Sequence, residues 1–312
     1  MSNTEPNKPD APSAPKVLLT GASGYVGGRL LPLLEQQSVL VQCLARNPDN
    51  LRPIVRSSTK VFQGDVLDKT SLDAALQGVQ TAYYLVHLMS GSADFEKEDR
   101  QAAQNFAESA KRSGVQRIIY LGGLGDDADP KLSPHLRSRH EVGAILRESG
   151  IETIEFRAGM VIGAGSLSYQ LMKSLTDRLP IMICPRWLIT PTQPIAIDDV
   201  LAYLVAAKDL PSGESRIFEI GSPDVVTYGE LIREYARQQG LQRWLIFVPI
   251  LTPYLSGLWL ALVTPATYEV GRHLIEGLKN PTVVRDSKAL NVFPIRPMGV
   301  KEAVQRAIAG AT

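Results

Sequence analysis

Short runs of apolar residues alternate with amphipathic segments along the first half of the chain. The first run is Val17-Leu18-Leu19, and similar runs recur at 39–44, 60–62, 81–86, 117–121, 153–156 and 216–220. Apolar runs of this length are typical of parallel strands that are buried on both faces. Helical patterns lie between them, most clearly at 95–112 and 135–149. This alternation predicts an α/β fold with a doubly wound parallel sheet between two layers of helices.

The pattern changes at about Gly163, beyond which strand signals become rare and helical segments with proline-rich joints dominate. We therefore predict one domain at 16–163 and a smaller, mostly helical substrate lobe at 164–312. From this lobe a strand at about 216–220 returns to the sheet. A lobe at the C-terminal side of such a sheet usually covers the ligand crevice. Residues 1–15 contain four prolines and no apolar run, which predicts a disordered leader.

Charge and cysteine usage narrow the range of partners. The 312 residues include 33 Lys and Arg against 32 Asp and Glu, a formal net charge of +1, so no attraction to nucleic acid is expected. Cys43 and Cys184 lie in apolar sequence surroundings without a Cys or His at metal-ligand spacing. We therefore expect no metal site, and a reducing cytoplasm fits best.

One uncharged apolar stretch, from Trp244 to Val263, bears on location. Pro249, Pro253 and Gly257 interrupt it, which argues against a full membrane span. The residues after Pro253 have the spacing of a one-sided helix. Two interpretations stay open: a buried or pocket-lining helix of the lobe, or peripheral contact with a membrane surface.

A glycine-rich turn joins the first strand to the first helix and has the sequence Thr20-Gly21-Ala22-Ser23-Gly24-Tyr25-Val26-Gly27. Gly21 permits a tight turn, Gly24 removes a side chain that would block a phosphate, and Gly27 allows close packing of helix on strand. A dinucleotide pyrophosphate binds main-chain N–H groups at such a helix N-terminus. The turn therefore predicts a Rossmann dinucleotide site, with a purely structural turn as the alternative.

The end of the second strand indicates which dinucleotide fits. The adenosine ribose reaches this point, and an NAD-specific site places an acid there. Here the sequence is Cys43-Leu44-Ala45-Arg46-Asn47, which has no acid. Arg46 is suited to a 2′-phosphate through charge-assisted hydrogen bonds. NADP(H) is therefore preferred and NAD(H) remains possible, unless Arg46 is simply a loop arginine.

Later motifs extend the likeness to a known superfamily. They are Gly64-Asp65-Val66, Leu85-Val86-His87, Ile197-Asp198-Asp199-Val200 and Ser287-Lys288-Ala289. Together with the glycine turn, they resemble the extended and atypical short-chain dehydrogenase/reductases, and most closely their NmrA-like, NAD(P)H-binding branch. The resemblance covers nearly the whole folded chain.

The resemblance implies roles for several residues. Asp65 and Val66 would hold the adenine, and His87 would lie beside the ribose or nicotinamide. A loop after the sixth strand, which contains Ala158, Gly159 and Met160, would pass under the nicotinamide. For His87 and Met160, simple packing at a strand end is the alternative.

The chain departs from the family pattern where catalysis is expected. Catalytic members carry Tyr-x-x-x-Lys at the start of the helix after the fifth strand, and a Ser at that strand's end. In this chain His135 and Arg139 stand in the Tyr and Lys positions, and the strand end is Leu121-Gly122-Gly123. Standard alcohol and ketone chemistry is therefore not implied.

Three interpretations of this pair stay open. In the first, Arg139 holds the ribose while His135 donates a proton. In the second, no side-chain acid is needed, because hydride goes to an electron-poor C=C, C=N or quinone-like acceptor. In the third, both residues belong to a solvated basic face with Arg137 and His140.

Two functions from different classes follow. The first is an NADPH-dependent reductase of a hydrophobic or conjugated small molecule, and the alternative is a non-catalytic NAD(P)H-binding redox sensor or assembly factor. Apolar residues of the lobe are available to form a substrate pocket or simply a core: Leu167, Leu171, Met172, Leu175, Ile181, Met182, Trp187, Trp244, Phe247 and Trp259.

Overall fold

The computed structural model describes residues 14–88, 94–248 and 278–310. The strands of these residues are β1 (Lys16–Thr20), β2 (Leu40–Ala45), β3 (Lys60–Gln63), β4 (Thr81–Tyr84), β5 (Arg117–Gly123), β6 (Glu152–Ala158), β7 (Val161–Ile162), β8 (Ile181–Cys184), β9 (Pro191–Thr192), β10 (Ile195–Ala196), β11 (Arg216–Ile220), β12 (Val226–Thr227) and β13 (Trp244–Phe247). The helices are α1 (Tyr25–Glu35), α2 (Lys69–Leu76), α3 (Phe95–Arg112), α4 (Pro134–Glu148), α5 (Leu167–Arg178), α6 (Ile197–Ala207), α7 (Tyr228–Gln238), α8 (Lys288–Val292) and α9 (Val300–Ala309).

Seven of these strands form a parallel central sheet in the order β11-β6-β5-β4-β1-β2-β3. The chain moves outward from β1 to β3 on one side, then crosses back to β4 and continues to the other edge. The strand order therefore reverses between β1 and β4. In open α/β sheets a crevice for ligands opens at this point, beyond the carboxyl ends of the strands.

Two helical layers cover the sheet because its side chains alternate between two apolar faces. Leu18 points into the core shared with α2, α3 and α4. Val17 and Leu19 point into the opposite core, which is shared with α1 and α6. The predicted doubly wound sheet with seven parallel strands and helices on both faces is confirmed.

A third apolar cluster lies in the C-terminal part of the chain. It contains residues of α5, α7, α9 and β8, among them Met172, Tyr235 and Val304. Three two-stranded sheets accompany these helices: β7 with β10, β9 with β12, and β8 with β13. The segment that returns to the sheet includes helix α6 as well as strand β11.

Some predicted element boundaries shift. Strand β4 ends at Tyr84, two residues before the predicted end, and residues 85–88 are free of regular structure. Strand β6 extends to Ala158, so Ala158 ends a strand and does not lie in a loop. The uncharged stretch that begins at Trp244 starts as strand β13, and its part from 249 onward lies outside the described residues. None of the described helices combines the length and apolar character that a membrane span requires.

Candidate cofactor and active site

The glycine-rich turn after β1 has a shape that larger residues would not permit. Gly21 has a φ of +76°, and a Cβ atom here would lie 2.5 Å from the carbonyl oxygen of Leu85. A Cβ atom at Gly27 would lie 2.2 Å from the carbonyl oxygen of Gly21. The Gly24 N–H donates to the same carbonyl at 2.9 Å. The glycine spacing is therefore fixed by contacts within the turn and with the chain after β4.

This turn forms one wall of an open cleft at the switch point, with about 710 Å³ of empty space. The other walls are the chain segments that follow β2, β3 and β4. Eight of the predicted cofactor residues line the cleft: Thr20, Gly21, Ser23, Gly24, Arg46, Asp65, Val66 and His87. The structure thus brings together residues that are separated by up to 67 positions in the sequence.

Tyr25, Val26 and Gly27 support the turn from behind. The Tyr25 ring lies under the Arg29 guanidinium, whose carbon is 4.1 Å from the ring centroid, and Val26 packs against the core beside α1. In the described structure none of the three is among the residues that line the cleft. Their main-chain N–H groups belong to the first turn of α1, whose N-cap residue Gly24 has no side chain to cap them. These groups can bind an anion.

Arg46 lies at the rim of the cleft, where β2 ends. It is exposed, and within the described parts of the chain no acidic side chain forms an ion pair with it. Asp65 also lines the cleft, and its Oδ1 accepts the N–H of Leu67 at 2.9 Å. An unpaired guanidinium at this rim can accommodate a phosphate group.

A buried carboxylate connects three elements at the other end of the cleft. The Asp99 side chain on α3 is 2% exposed. Its Oδ2 accepts from His87 Nδ1 at 2.9 Å and from Ser138 Oγ at 2.8 Å, and its Oδ1 accepts from the Leu88 N–H at 2.9 Å. His87 Nε2 lies 3.0 Å from His135 Nδ1. The histidine that follows β4 is therefore held between α3 and α4.

The protonation of this group follows from its surroundings. Burial alone would raise the pKa of Asp99. The hydrogen bond and charge of His87, together with the hydrogen bonds from Leu88 and Ser138, outweigh this effect of burial and lower the pKa of Asp99 to about 2. Burial and the nearby Arg139 cation lower the pKa of His87, against the attraction of Asp99. Asp99 is thus a carboxylate at neutral pH and His87 is a neutral imidazole.

Arg139 lies against the ends of β4 and β5. Its guanidinium donates to the carbonyl oxygens of Val86, at 3.5 Å, and of Leu121. It is half-buried, and His140 is buried and bonded to the Gly123 carbonyl oxygen. Arg137 is the exposed member of this basic group. The helix therefore does not present these side chains together to solvent.

The segment after β6 leads from the sheet to an apolar pocket. Gly159 packs closely, since a Cβ atom there would lie 3.3 Å from the Gln193 carbonyl oxygen. Met160 is buried and lines a pocket with about 520 Å³ of empty space. Its other lining residues are Ser168, Leu171, Met172, Leu175, Trp187, Tyr228, Ile232 and Leu278. Such a pocket suits an apolar ligand with few polar groups.

Some of the apolar side chains predicted for a substrate pocket are placed elsewhere. Four of them line the pocket: Leu171, Met172, Leu175 and Trp187. Met182 is buried in the core of the lobe. Four others are exposed: Leu167, Ile181, Trp244 and Phe247. Trp259 lies outside the described residues.

Two polar residues of the site were missed from the sequence, Asp99 and Ser138. A signal for Asp99 was present, because it lies on the apolar face of α3, four residues after Phe95 and three before Ala102. An acid at such a position is rarely buried without a partner. Its partner His87 could not be identified from helix periodicity, since it comes from a different element.

The residues present fit a dinucleotide. No side chain of the described residues caps the start of α1. Among those residues, a Cβ atom at Gly24 would come within 4 Å only of the Gly21 carbonyl oxygen, at 3.1 Å. The main-chain N–H groups of this first turn would hold the pyrophosphate, Asp65 and Val66 would lie beside the adenine end, and His87 lies toward the other end of the cleft. The bound group would supply hydride transfer.

Curated relatives match this chain in part. A 3 beta-hydroxysteroid dehydrogenase/Delta 5→4-isomerase of Mycobacterium tuberculosis is 32% identical over 116 residues, which is 34% of this chain and 30% of the relative. The chain thus matches about a third of the length of that protein. A (4-alkanoyl-5-oxo-2,5-dihydrofuran-3-yl)methyl phosphate reductase of Streptomyces griseus is 25% identical over 231 residues, which is 72% of this chain and 74% of the relative.

Solved structures share the fold over almost the whole chain. An NADPH-dependent quinone oxidoreductase of Escherichia coli, solved with NADPH, superposes with a TM-score of 0.73 at 20% identity and covers 94% of this chain and 99% of that one. The triphenylmethane reductase of Citrobacter sp. with NADP(H) gives 0.74 at 15% identity, with 94% and 99% coverage. The NAD(P)H-binding family model matches residues 21–178, about half of the chain. The chain therefore belongs to the NAD(P)H-binding family, with the Rossmann fold of the extended short-chain dehydrogenase/reductase and NmrA-like proteins.

Proposed function

We propose that this chain is an NADPH-dependent reductase of an apolar, conjugated small molecule. The observation that carries the proposal is the position of Met160. It follows the last residue of β6 by two positions, in the segment that the family resemblance puts under the nicotinamide, and its side chain lines an apolar pocket. A substrate in that pocket would lie next to a hydride donor in the cleft.

The acceptor type follows from the missing Tyr and Ser. Hydride transfer to an isolated carbonyl needs a proton donor at the oxygen, whereas a C=C, C=N or quinone-like acceptor spreads the charge over a conjugated system. Relatives named as a quinone oxidoreductase and a triphenylmethane reductase support this class. Arg46 supports the preference for NADPH, with NADH as the weaker ligand.

The pocket is tested by a charge placed in it. Leu171→Asp puts a carboxylate into the apolar lining, and we expect KM for enones and triarylmethane dyes to rise at least about tenfold, because an unpaired charge is costly in an apolar site. The Kd for NADPH should stay unchanged. Leu167→Asp is the matched control, since Leu167 lies one turn earlier on α5 and is exposed. Equal effects of both variants would show that the pocket does not bind substrate.

The same assay separates the reductase from the alternative function. His135 and Arg139 in place of the Tyr and Lys favour a non-catalytic NAD(P)H-binding sensor or assembly factor. That function predicts tight NADPH binding by calorimetry with no oxidation of NADPH by quinones, enones or dyes. Turnover of any of these acceptors that depends on Leu171 would contradict it.

Peripheral membrane contact is proposed as a second property. The stretch that starts at Trp244 begins with exposed apolar side chains on β13, beside those of β8. A lipid-soluble acceptor would make such contact useful.

A further inference from the structure

We infer that the Tyr228 phenol donates a hydrogen bond in the apolar pocket, so that the pocket takes a conjugated molecule with an acceptor oxygen, an enone or a quinone. This inference rests on the proposed function and narrows its substrate class. It assigns Tyr228 as a specificity-determining residue, with Thr192 and Thr282 as positioning residues.

The first argument concerns the hydroxyl groups of the pocket lining. Among the described lining residues, Ser168 on α5 and Tyr228 on α7 carry a hydroxyl. The Ser166 hydroxyl donates to the Val161 carbonyl oxygen at 2.7 Å, and Ser168 Oγ lies 3.3 Å from Ser166 Oγ. A hydroxyl has a single hydrogen, so Ser166 accepts here and the Ser168 hydrogen is directed at it. Of these two lining hydroxyls, Tyr228 is the one that can donate to a ligand.

The second argument concerns how the fold positions the phenol. Tyr228 is the first residue of α7 and directly follows β12. In the pairing of β12 with β9, Val226 lies opposite Thr192, and Thr192 in turn forms a bridge to Thr282. The Tyr228 side chain is buried, and its ring meets the Trp187 ring edge-on with the centroids 6.3 Å apart. Strand pairing therefore places both threonines beside the start of α7, and ring packing restricts the orientation of the phenol.

The third argument concerns the hydrogen atoms of the three hydroxyls. Thr192 Oγ1 and Thr282 Oγ1 lie 2.8 Å apart, so one hydrogen lies between them. Burial raises the pKa of the Tyr228 phenol, and hydrogen bonds from the two threonines lower it by less. The second threonine hydrogen is thus directed at the phenol oxygen, and the phenol keeps its proton at neutral pH. Its own hydrogen is left for an acceptor atom of a ligand.

The fourth argument concerns the place of this cluster in the site. A Cβ atom at Gly159 would lie 3.4 Å from Thr282 Oγ1, and the next residue, Met160, lines the pocket together with Tyr228. The family resemblance puts this segment under the nicotinamide. A carbonyl or quinone oxygen has two lone pairs for the phenol hydrogen, whereas a C=C bond has none. A hydrogen bond to Tyr228 would therefore hold the conjugated system of such a ligand beside this segment.

A matched pair of ligands tests the inference through binding alone. The first is benzylideneacetone, an aryl enone, and the second is the hydrocarbon in which a methylene group replaces its carbonyl oxygen. Both are titrated into the full chain in the presence of NADP+, so that no hydride is transferred. We expect Tyr228→Phe to raise the Kd of the enone roughly 5- to 30-fold and that of the hydrocarbon by less than about twofold, because the ring is kept. Equal changes for the two ligands, or no change for the enone, would overturn the inference.

Tyr235→Phe is the matched control for this substitution. Tyr235 lies two turns later on α7, donates to Asp177 Oδ1 at 2.9 Å, and is not among the described residues that line the pocket. This variant should leave the Kd of both ligands unchanged.

Variants of Thr192 test the positioning role and keep the inference testable if Tyr228→Phe does not fold. Thr192→Val removes one hydroxyl and should raise the Kd of the enone roughly threefold or more, without a comparable change for the hydrocarbon. Thr192→Ser retains the hydroxyl and should restore the affinity for the enone. Equal losses in the two variants would show that Thr192 acts through packing, and would overturn its positioning role.

Turnover separates the inference from the proposed function. Binding of the enone that depends on the Tyr228 hydroxyl, without oxidation of NADPH by the enone, would refute the reductase alone. Reduction of the enone with the same KM by the native chain and Tyr228→Phe would refute the inference alone. A native chain that binds neither ligand would refute both.

Discussion

Arg46 is the residue that most directly distinguishes the two dinucleotides. Arg46→Asp replaces an exposed cation at the rim by an anion. It should weaken NADPH binding by about 2 kcal/mol, a roughly 30-fold increase in Kd. NADH binding should change much less, because NADH has no 2′-phosphate. Calorimetric titrations of both nucleotides measure the difference.

The control for this change is Arg52→Asp. Arg52 is exposed and pairs with Asp49 at 2.7 Å, so this variant alters the net charge by the same amount without touching the cleft. If Arg46→Asp weakens NADPH and NADH equally, Arg46 does not bind the 2′-phosphate.

Substitutions at two adjacent glycines of α1 test whether close steric contacts determine the shape of the glycine-rich turn. Gly27→Ala would put a Cβ atom 2.2 Å from the Gly21 carbonyl oxygen, so the turn must shift. We expect a loss of about 1–3 kcal/mol of unfolding free energy and the loss of NADPH binding. Chemical denaturation and calorimetry measure the two effects.

Gly28→Ala is the matched variant, because its Cβ atom would lie 3.3 Å from the Ala22 carbonyl oxygen and alanine favours a helix. It should retain both stability and binding. A Gly27→Ala variant that binds NADPH with native affinity would contradict the prediction.

The residues of the cofactor turn could be predicted from the sequence because their spacing is local and each glycine has its own steric reason. Asp99 could not be assigned a role in this way. Its function depends on His87 and Ser138, which come from other elements. These residues contact Asp99 because α3 packs beside α4 and the chain segment that follows β4. A single acid on an apolar helical face gives the position of a buried charge but not its partner.

Helix α3 is linked to the end of β4 by the Asp99 carboxylate, and this link should depend on pH. The folded-state pKa of Asp99 is lowered to about 2, so the stabilisation is complete above the unfolded pKa of about 4 and is lost as the pH falls toward 2. We expect Asp99→Asn to lower the unfolding free energy by about 2 kcal/mol at pH 7. The difference from the native chain should narrow between pH 4 and pH 2.

Urea unfolding of both proteins across this pH range measures the effect. Asp73→Asn is the control, because the Asp73 side chain is half-exposed and its ion pair with Arg112 lies on the surface, where such pairs contribute little. A difference between native and Asp99→Asn proteins that is constant from pH 7 to pH 2.5 would contradict the linkage.

Strands of the central sheet were predictable as elements because continuous apolar runs leave few alternatives when both faces are buried. Strand β13 was not. Its sequence, Trp244 to Phe247, is apolar and uncharged, which fits a helix as well as a strand. Its partner β8 lies about 60 residues earlier, so the pairing that decides the matter is absent from the local pattern.

At the scale of the whole molecule, the three apolar clusters of the described residues do not follow the order of the elements along the chain. Two lie on the faces of the sheet and the third in the C-terminal lobe, yet α6, from the second half, belongs to a sheet cluster. The change of sequence pattern at about Gly163 indicates that a different kind of structure begins there. It does not indicate which of the later elements pack against the central sheet. Met160, in the short segment after β6, lines the apolar pocket.

The two-stranded sheet of β8 and β13 exposes one apolar face. Ile181 pairs with Trp244, and Ile183 pairs with Ile246. All four side chains are exposed, Trp244 by 69%, while Met182 and Cys184 on the other face are buried. Exposed apolar side chains grouped in this way indicate a contact surface.

We expect this face to bind lipid. The double variant Trp244→Ser/Ile246→Ser should lower the partition coefficient onto phosphatidylcholine vesicles at least about tenfold. The reason is that each apolar side chain removed from water contributes about 1.5–3 kcal/mol when fully buried. Flotation with vesicles at high salt measures it. Ile54→Ser/Val225→Ser, at two exposed apolar positions outside this sheet, should float like the native chain. Binding through this face would be excluded by a native chain that stays in the dense fraction, or by equal losses in the two double variants. Because the net charge is only +1, retention in high salt is the expected sign of apolar contact rather than of electrostatic attraction.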